Sequence, residues 1–109
     1  MKDKDWREPI HPGEILADEL DYIGMTASVL ADKIGVPKNR LYHIINGERG
    51  ITADTSIRLG IFFNQSPDFW LNQQKAYEMD VACQTISDRV KNIVPYQPTF
   101  PPLSQEANP

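Results

Sequence analysis

At 109 residues, 40 % hydrophobic and 24 % charged, the chain has the size and make-up of one ordinary globular domain. Cys83 is the only cysteine, which excludes an internal disulfide framework; no apolar run approaches the ~20 residues that span a bilayer, and residues 1–25 lack a signal-peptide core, so a cytoplasmic protein without membrane contact is expected. The net charge of −4 is unevenly spread: residues 1–32 hold eight acidic and three basic side chains, whereas residues 33–58 hold five basic and two acidic ones, a local patch able to steer an anionic partner.

Residues 1–10 are polar and charged and are expected to form a flexible N-terminus. Helix signals then follow at short intervals, with no strand pattern competing. A first helix can start at His11-Pro12-Gly13-Glu14, because proline fits a first turn and Glu14 suits the positive end of the helix dipole. Leu16, Leu20 and Ile23 make its apolar face, and Gly24 ends it. Thr26 is a natural N-cap for a second helix, TASVLADKI, in which Leu30 and Ile34 share a face. Gly35 supplies a sharp turn, Pro37 opens a third helix, KNRLYHIIN, and Asn46-Gly47 stops it. Two short helices joined by a tight glycine turn make a helix-turn-helix unit.

Thr52 caps a fourth helix, ADTSIRLGIFF. Ala53, Ile57 and Ile61 lie on one of its faces and Leu59, Phe62 and Phe63 on another, which predicts a helix buried on two sides. Ser66-Pro67-Asp68 begins a fifth and longer pattern. Trp70, Tyr77 and Val81 form one stripe of it, and Met79, Ala82, Cys83, Ile86, Val90 and Ile93 a second. Continuous over 67–94, it would extend roughly 42 Å, more than the domain's own core needs. Ile86, Val90 and Ile93 are therefore expected to support a two-fold dimer. The segment 11–94 reads as one all-α, five-helix domain with an extended C-terminal helix. Residues 95–109, PYQPTFPPLSQEANP, hold five prolines without periodicity and predict an extended or disordered tail.

Chemistry concentrates in residues 26–50. Leu41, Ile44 and Ile45 must turn the third helix toward the core, which leaves Asn39, Tyr42, His43 and Asn46 on the opposite face, with Lys38 beside them. Amide, imidazole, ammonium and phenol groups suit base edges in the major groove, where asparagine pairs with adenine and lysine donates to guanine. Arg40 and Arg49 flank that face and are expected to meet phosphates, as are Thr26 and Ser28 at the start of the second helix. Duplex DNA is thus the expected partner.

The runs HPGEIL at 11–16, GVPKNRLYHIINGERGITADT at 35–55, RLGIFF at 58–63 and SPDFWLN at 66–72 resemble HigA/VapI-type antitoxins of the XRE helix-turn-helix class. The resemblance covers His11 to about Ala82. It implies a lambda-repressor-like five-helix domain, a homodimer on an operator, and repression of the protein's own operon. It also implies a cognate toxin, an mRNA-cleaving RelE-like protein, as partner. A stand-alone XRE-type regulator without a toxin is the alternative within that class.

Other chemistry is weaker. Cys83 falls on an apolar stripe, where an inert buried thiol is expected rather than a nucleophile. Glu14, Asp18 and Asp21 line one side of the first helix and read as a solvated face before a cation site. With no glycine-rich phosphate loop and no zinc-ligand cluster, neither catalysis nor a cofactor is expected. A pure adaptor would use the same fold, but it would have no need of the polar face Lys38, Asn39, Tyr42, His43 and Asn46.

Overall fold

The computed structural model describes residues 8–99; the expectations for residues 1–7 and for 100–109 of the tail lie outside the described residues. Five helices follow in order: α1 (Pro12–Ile23), α2 (Ala27–Ile34), α3 (Lys38–Ile45), α4 (Ala53–Phe63) and α5 (Phe69–Ile86). Among the described residues there is no strand. The helix starts follow the capping chemistry. Thr26 accepts from the Val29 amide and Thr52 from the Thr55 amide, each filling an orphan donor of a first turn. His11 does the same for α1 through Nδ1, which accepts from the Gly13 amide at 2.8 Å. Gly35 stands at φ 75°, where it lets α2 end and the chain turn into α3.

Leu16, Leu30, Leu41, Ile44, Leu59 and Trp70 are fully buried and form the centre of the core. Each such side chain contributes about 1.5–3 kcal/mol relative to exposure. α3 packs on α1 and α2, α4 on α2 and α5, and α1 also touches α5. The seat of α3 is unusually close: a Cβ on Gly13 would overlap the Ile44 carbonyl oxygen, so only glycine lets α1 come down onto the end of α3. Trp70 closes the other side, and its Nε1 donates to the Gln65 side chain at 2.8 Å.

Two expectations are corrected. The face Ala53, Ile57 and Ile61 of α4 is not buried; all three residues are exposed, Ile61 at 77 %. The side that packs is Thr55, Ser56, Leu59 and Gly60. Small residues are required there because the chain entering α5 crosses directly over them. The Ser56 hydroxyl donates to the Pro67 carbonyl at 2.7 Å and accepts from the Leu71 amide at 2.9 Å. A Cβ on Gly60 would stand 2.7 Å from the Ser66 carbonyl oxygen.

The fifth helix is also shorter than its pattern. It ends at Ile86, and the chain continues in turns in which the Arg89 and Val90 amides return to the Ile86 carbonyl. Thr85, Ile86, Ser87 and Asp88 are four successive weak helix formers, and Pro95 disfavours helix at Val94. Ile86, Val90 and Ile93 therefore do not form one helical stripe. Ile86 and Val90 are half-buried and Ile93 is exposed. Met79, on the same expected stripe, is exposed as well. Among the described residues no helix is long and apolar enough to cross a membrane.

Candidate nucleic-acid interface

α3 owes its orientation to two residues. Leu41 and Ile44 are fully buried, which turns the opposite side of the helix outward. Lys38, Asn39, Tyr42, His43 and Asn46 are all exposed there and form one continuous polar face. The side-chain amides of Asn39 and Asn46 have no hydrogen-bond partner among the described residues, so both are available to a ligand. Asn46 itself is the C-cap of α3, with Gly47 following at φ 77°. Pro37, the N-cap residue, makes no side-chain hydrogen bond, and the first-turn amides of α3 have no side-chain partner from it.

Charge on this face is partly committed. Lys38 lies 3.7 Å from Asp32, with both side chains largely exposed, an ion pair worth little in water. His43 Nδ1 and Glu48 Oε1 are 2.7 Å apart, which brings a carboxylate to the edge of the polar face. Sequence spacing did not single out Glu48, because its partner is reached through the Gly47 turn and not along a helix.

The expected phosphate contacts divide into two kinds. Arg49 is exposed and has no ion pair among the described residues. Thr26 is exposed; its Oγ1 accepts from Val29, which leaves the hydroxyl proton free to donate outward, while Ser28 beside it is half-buried. Arg40 is different. Its side chain is only 26 % exposed, and its guanidinium donates to Asp54 at 3.4 Å. Arg58, which the sequence offered only as part of a basic segment, grips the same carboxylate with Nε at 3.1 Å. Its terminal nitrogen donates to the Ile34 and Gly35 carbonyls at 2.8 and 3.3 Å. Asp54 and Arg58 thus tie α4 to the turn between α2 and α3 and hold Arg40 at the flank of the polar face.

Elsewhere the chemistry is sparse. Cys83 is half-buried. Glu14, Asp18 and Asp21 are exposed, and among the described residues no group of three His, Cys, Asp or Glu side chains could hold a metal ion.

Comparison with known proteins agrees with this geometry. A family model described as helix-turn-helix matches residues 23–70, from the end of α1 to the start of α5. The chain is 45 % identical over 76 residues to virulence-associated protein I of Dichelobacter nodosus, covering 69 % of this chain and 70 % of that protein. It is 33 % identical over 102 residues to antitoxin HigA-1 of Vibrio cholerae, covering 93 % of each. Among solved structures it is similar to an addiction module antidote protein of the HigA family from Coxiella burnetii, with a TM-score of 0.79 and 47 % identity over 83 % of this chain and 100 % of that one. It is also similar to the Pseudomonas aeruginosa antitoxin HigA solved with the higBA promoter, with a TM-score of 0.76 and 36 % identity over 81 % of this chain and 97 % of that one.

Proposed function

This chain belongs to the HigA/VapI-type family of XRE helix-turn-helix proteins, and from that premise we propose that it is a DNA-binding antitoxin. α3 enters the major groove of an operator, with Lys38, Asn39, Tyr42, His43 and Asn46 toward base edges and Thr26, Ser28, Arg40 and Arg49 toward phosphates. The observation that carries this reading is the exposed polar face of α3, set by the complete burial of Leu41 and Ile44 behind it. The solved relative with its promoter supports the same use of the fold.

The protein acts as a homodimer, so that two α3 helices about 34–36 Å apart meet successive major grooves. Ile86 at the end of α5, with Val90 and Ile93 in the turns beyond it, supports the contact between copies. Its cognate toxin is a RelE-like mRNA-cleaving protein, and binding it masks the toxin while the dimer represses the shared operon. The acidic exposed side chains Glu14, Asp18 and Asp21 suit the basic surface that an RNA-binding partner needs. Tyr96, exposed at 86 %, offers an apolar anchor on the tail; Phe100 and Leu103, the other candidates, lie outside the described residues.

Coexpression with the product of the adjacent gene tests the reading. A co-purifying complex, together with a shift of the upstream DNA by this chain, is the expected result. Upstream DNA binding with a non-toxic neighbour that does not co-purify would make the protein a stand-alone regulator. No binding to DNA at any salt concentration would sink the proposal.

A further inference from the structure

The loop between α3 and α4 is held from behind by α5. Gln74 is 6 % exposed; its Oε1 accepts from the Ile51 amide at 2.8 Å and its Nε2 donates to Glu78 at 2.8 Å. Gly50 lies against the same amide group, so that a Cβ there would stand 2.9 Å from it. One turn further along α5, Tyr77 sets its ring edge-on to His11, with centroids 4.9 Å apart. His11 is 8 % exposed, and its ring is hydrogen-bonded to the Arg49 carbonyl. Because Nδ1 already accepts from Gly13, the donor to that carbonyl is Nε2.

The backbone groups on either side of Gly50 are therefore both fixed, the Arg49 carbonyl by His11 and the Ile51 amide by Gln74. Buried polar groups are costly unless satisfied, and here each backbone group is matched by a buried side chain. The outcome is a loop with little freedom whose one solvent-facing cation is Arg49. Holding the Cα of a long charged side chain in place removes part of the ordering cost when it meets an anion. We propose that Gln74 and Tyr77 are positioning residues that aim Arg49 at a DNA phosphate. This rests on the docking of α3 in the major groove stated above.

The test uses the full chain and a labelled random-sequence duplex, with affinity followed across a range of KCl concentrations below the melting temperature of every variant. Arg49→Ala should reduce the magnitude of the salt slope by about 0.9 per protomer. Gln74→Met and Tyr77→Leu should weaken binding several-fold and flatten the slope by a comparable amount, and adding either to Arg49→Ala should cost nothing more. Gln74→Glu in a Glu78→Gln background exchanges donor and acceptor between the two side chains, keeps an oxygen for the Ile51 amide, and should restore the slope.

A Gln74→Met protein with the full wild-type slope, or losses that add to those of Arg49→Ala, would show a purely stabilising role and overturn the proposal. So would an Arg49→Ala slope equal to wild type, even with α3 docking intact. Should Gln74→Met fail to fold, Tyr77→Leu decides alone, because it keeps an apolar side chain at a half-buried position while removing the ring that meets His11. A wild-type chain that binds no duplex would instead defeat the docking reading itself.

Discussion

Asp54 holds two arginines at once, and replacing it with asparagine separates what each of them does. Arg58 keeps its bonds to the Ile34 and Gly35 carbonyls after the change, so the turn between α2 and α3 stays clamped. Arg40 loses its ion pair and becomes a free cation at the flank of α3. The Asp54 side chain is 58 % exposed, so solvent screens both pairs. Exposed pairs are worth about 0.2–1 kcal/mol each, and the expected loss of stability is about 1 kcal/mol, or a fall in Tm of roughly 4–8 °C. The effect on DNA binding has the opposite sign. Releasing Arg40 wholly to the phosphate it flanks should steepen the salt slope by at most about 0.9 per protomer, and binding at low salt should tighten on all sequences alike. Fluorescence anisotropy on the operator and on a scrambled duplex, across a KCl series, reads both quantities. An unchanged slope would show that Arg40 stands out of reach of the backbone. Weaker binding on both duplexes would show that Asp54 orients Arg40 toward DNA and does not withhold it.

Other substitutions test other links. Asn39→Ala should cost about 1–3 kcal/mol on the operator and relax discrimination at one base pair, read by competition with single-site operator variants; an unchanged preference at every position would remove Asn39 from the base-reading set. Ser56→Ala strips the hydroxyl that serves both Pro67 and Leu71, and should cost about 2–3 kcal/mol in urea denaturation, the toll of two unsatisfied groups at the α4–α5 crossing. Burial holds the His11 imidazole below its ordinary value of 6.5, against the opposing pulls of Glu14 and the Arg49 carbonyl. The unfolded chain then takes up this proton at higher pH than the folded one, so its contribution is whole above 6.5 and is lost as pH falls below 6.5 through the folded-state value. Urea midpoints should decline over that acidic window in the wild type and less in His11→Asn, which keeps an N-cap acceptor; equal declines would assign the acid sensitivity elsewhere.

The order and ends of the first four helices were legible because their signals are local. Thr26, Gly35 and Thr52 act on their own first or last turns, and Leu41 with Ile44 suffices to say which side of α3 faces out. The inner side of α4 was not legible, since counting apolar residues favours Ile57 and Ile61 over Ser56 and Gly60. What decides that side is the backbone of Ser66 and Pro67 crossing over it, and close approach selects small side chains, not greasy ones. The end of α5 was hidden for a related reason: apolar spacing persists to Ile93, but it does not outweigh weak helix formers that no neighbouring element supports. Arg40 and Arg58 look alike as charges in a sequence. Only the fold shows one at the flank of α3 and the other bound to the carbonyls that end α2.

The contact between Gly13 and the Ile44 carbonyl gives the amino-terminal end of this protein a hold over surfaces it never reaches. A nick between Ile10 and Gly13 would leave every side chain of the exposed α3 face chemically intact. It would nevertheless free the first turn of α1, and with it the buttress against which the last turn of α3 is set. Tags and fusion partners meet the same constraint, since a bulky neighbour set flush against Pro12 is felt at the last turn of α3. The working life of the proposed DNA-reading surface is thus only as long as that of a few residues at its back.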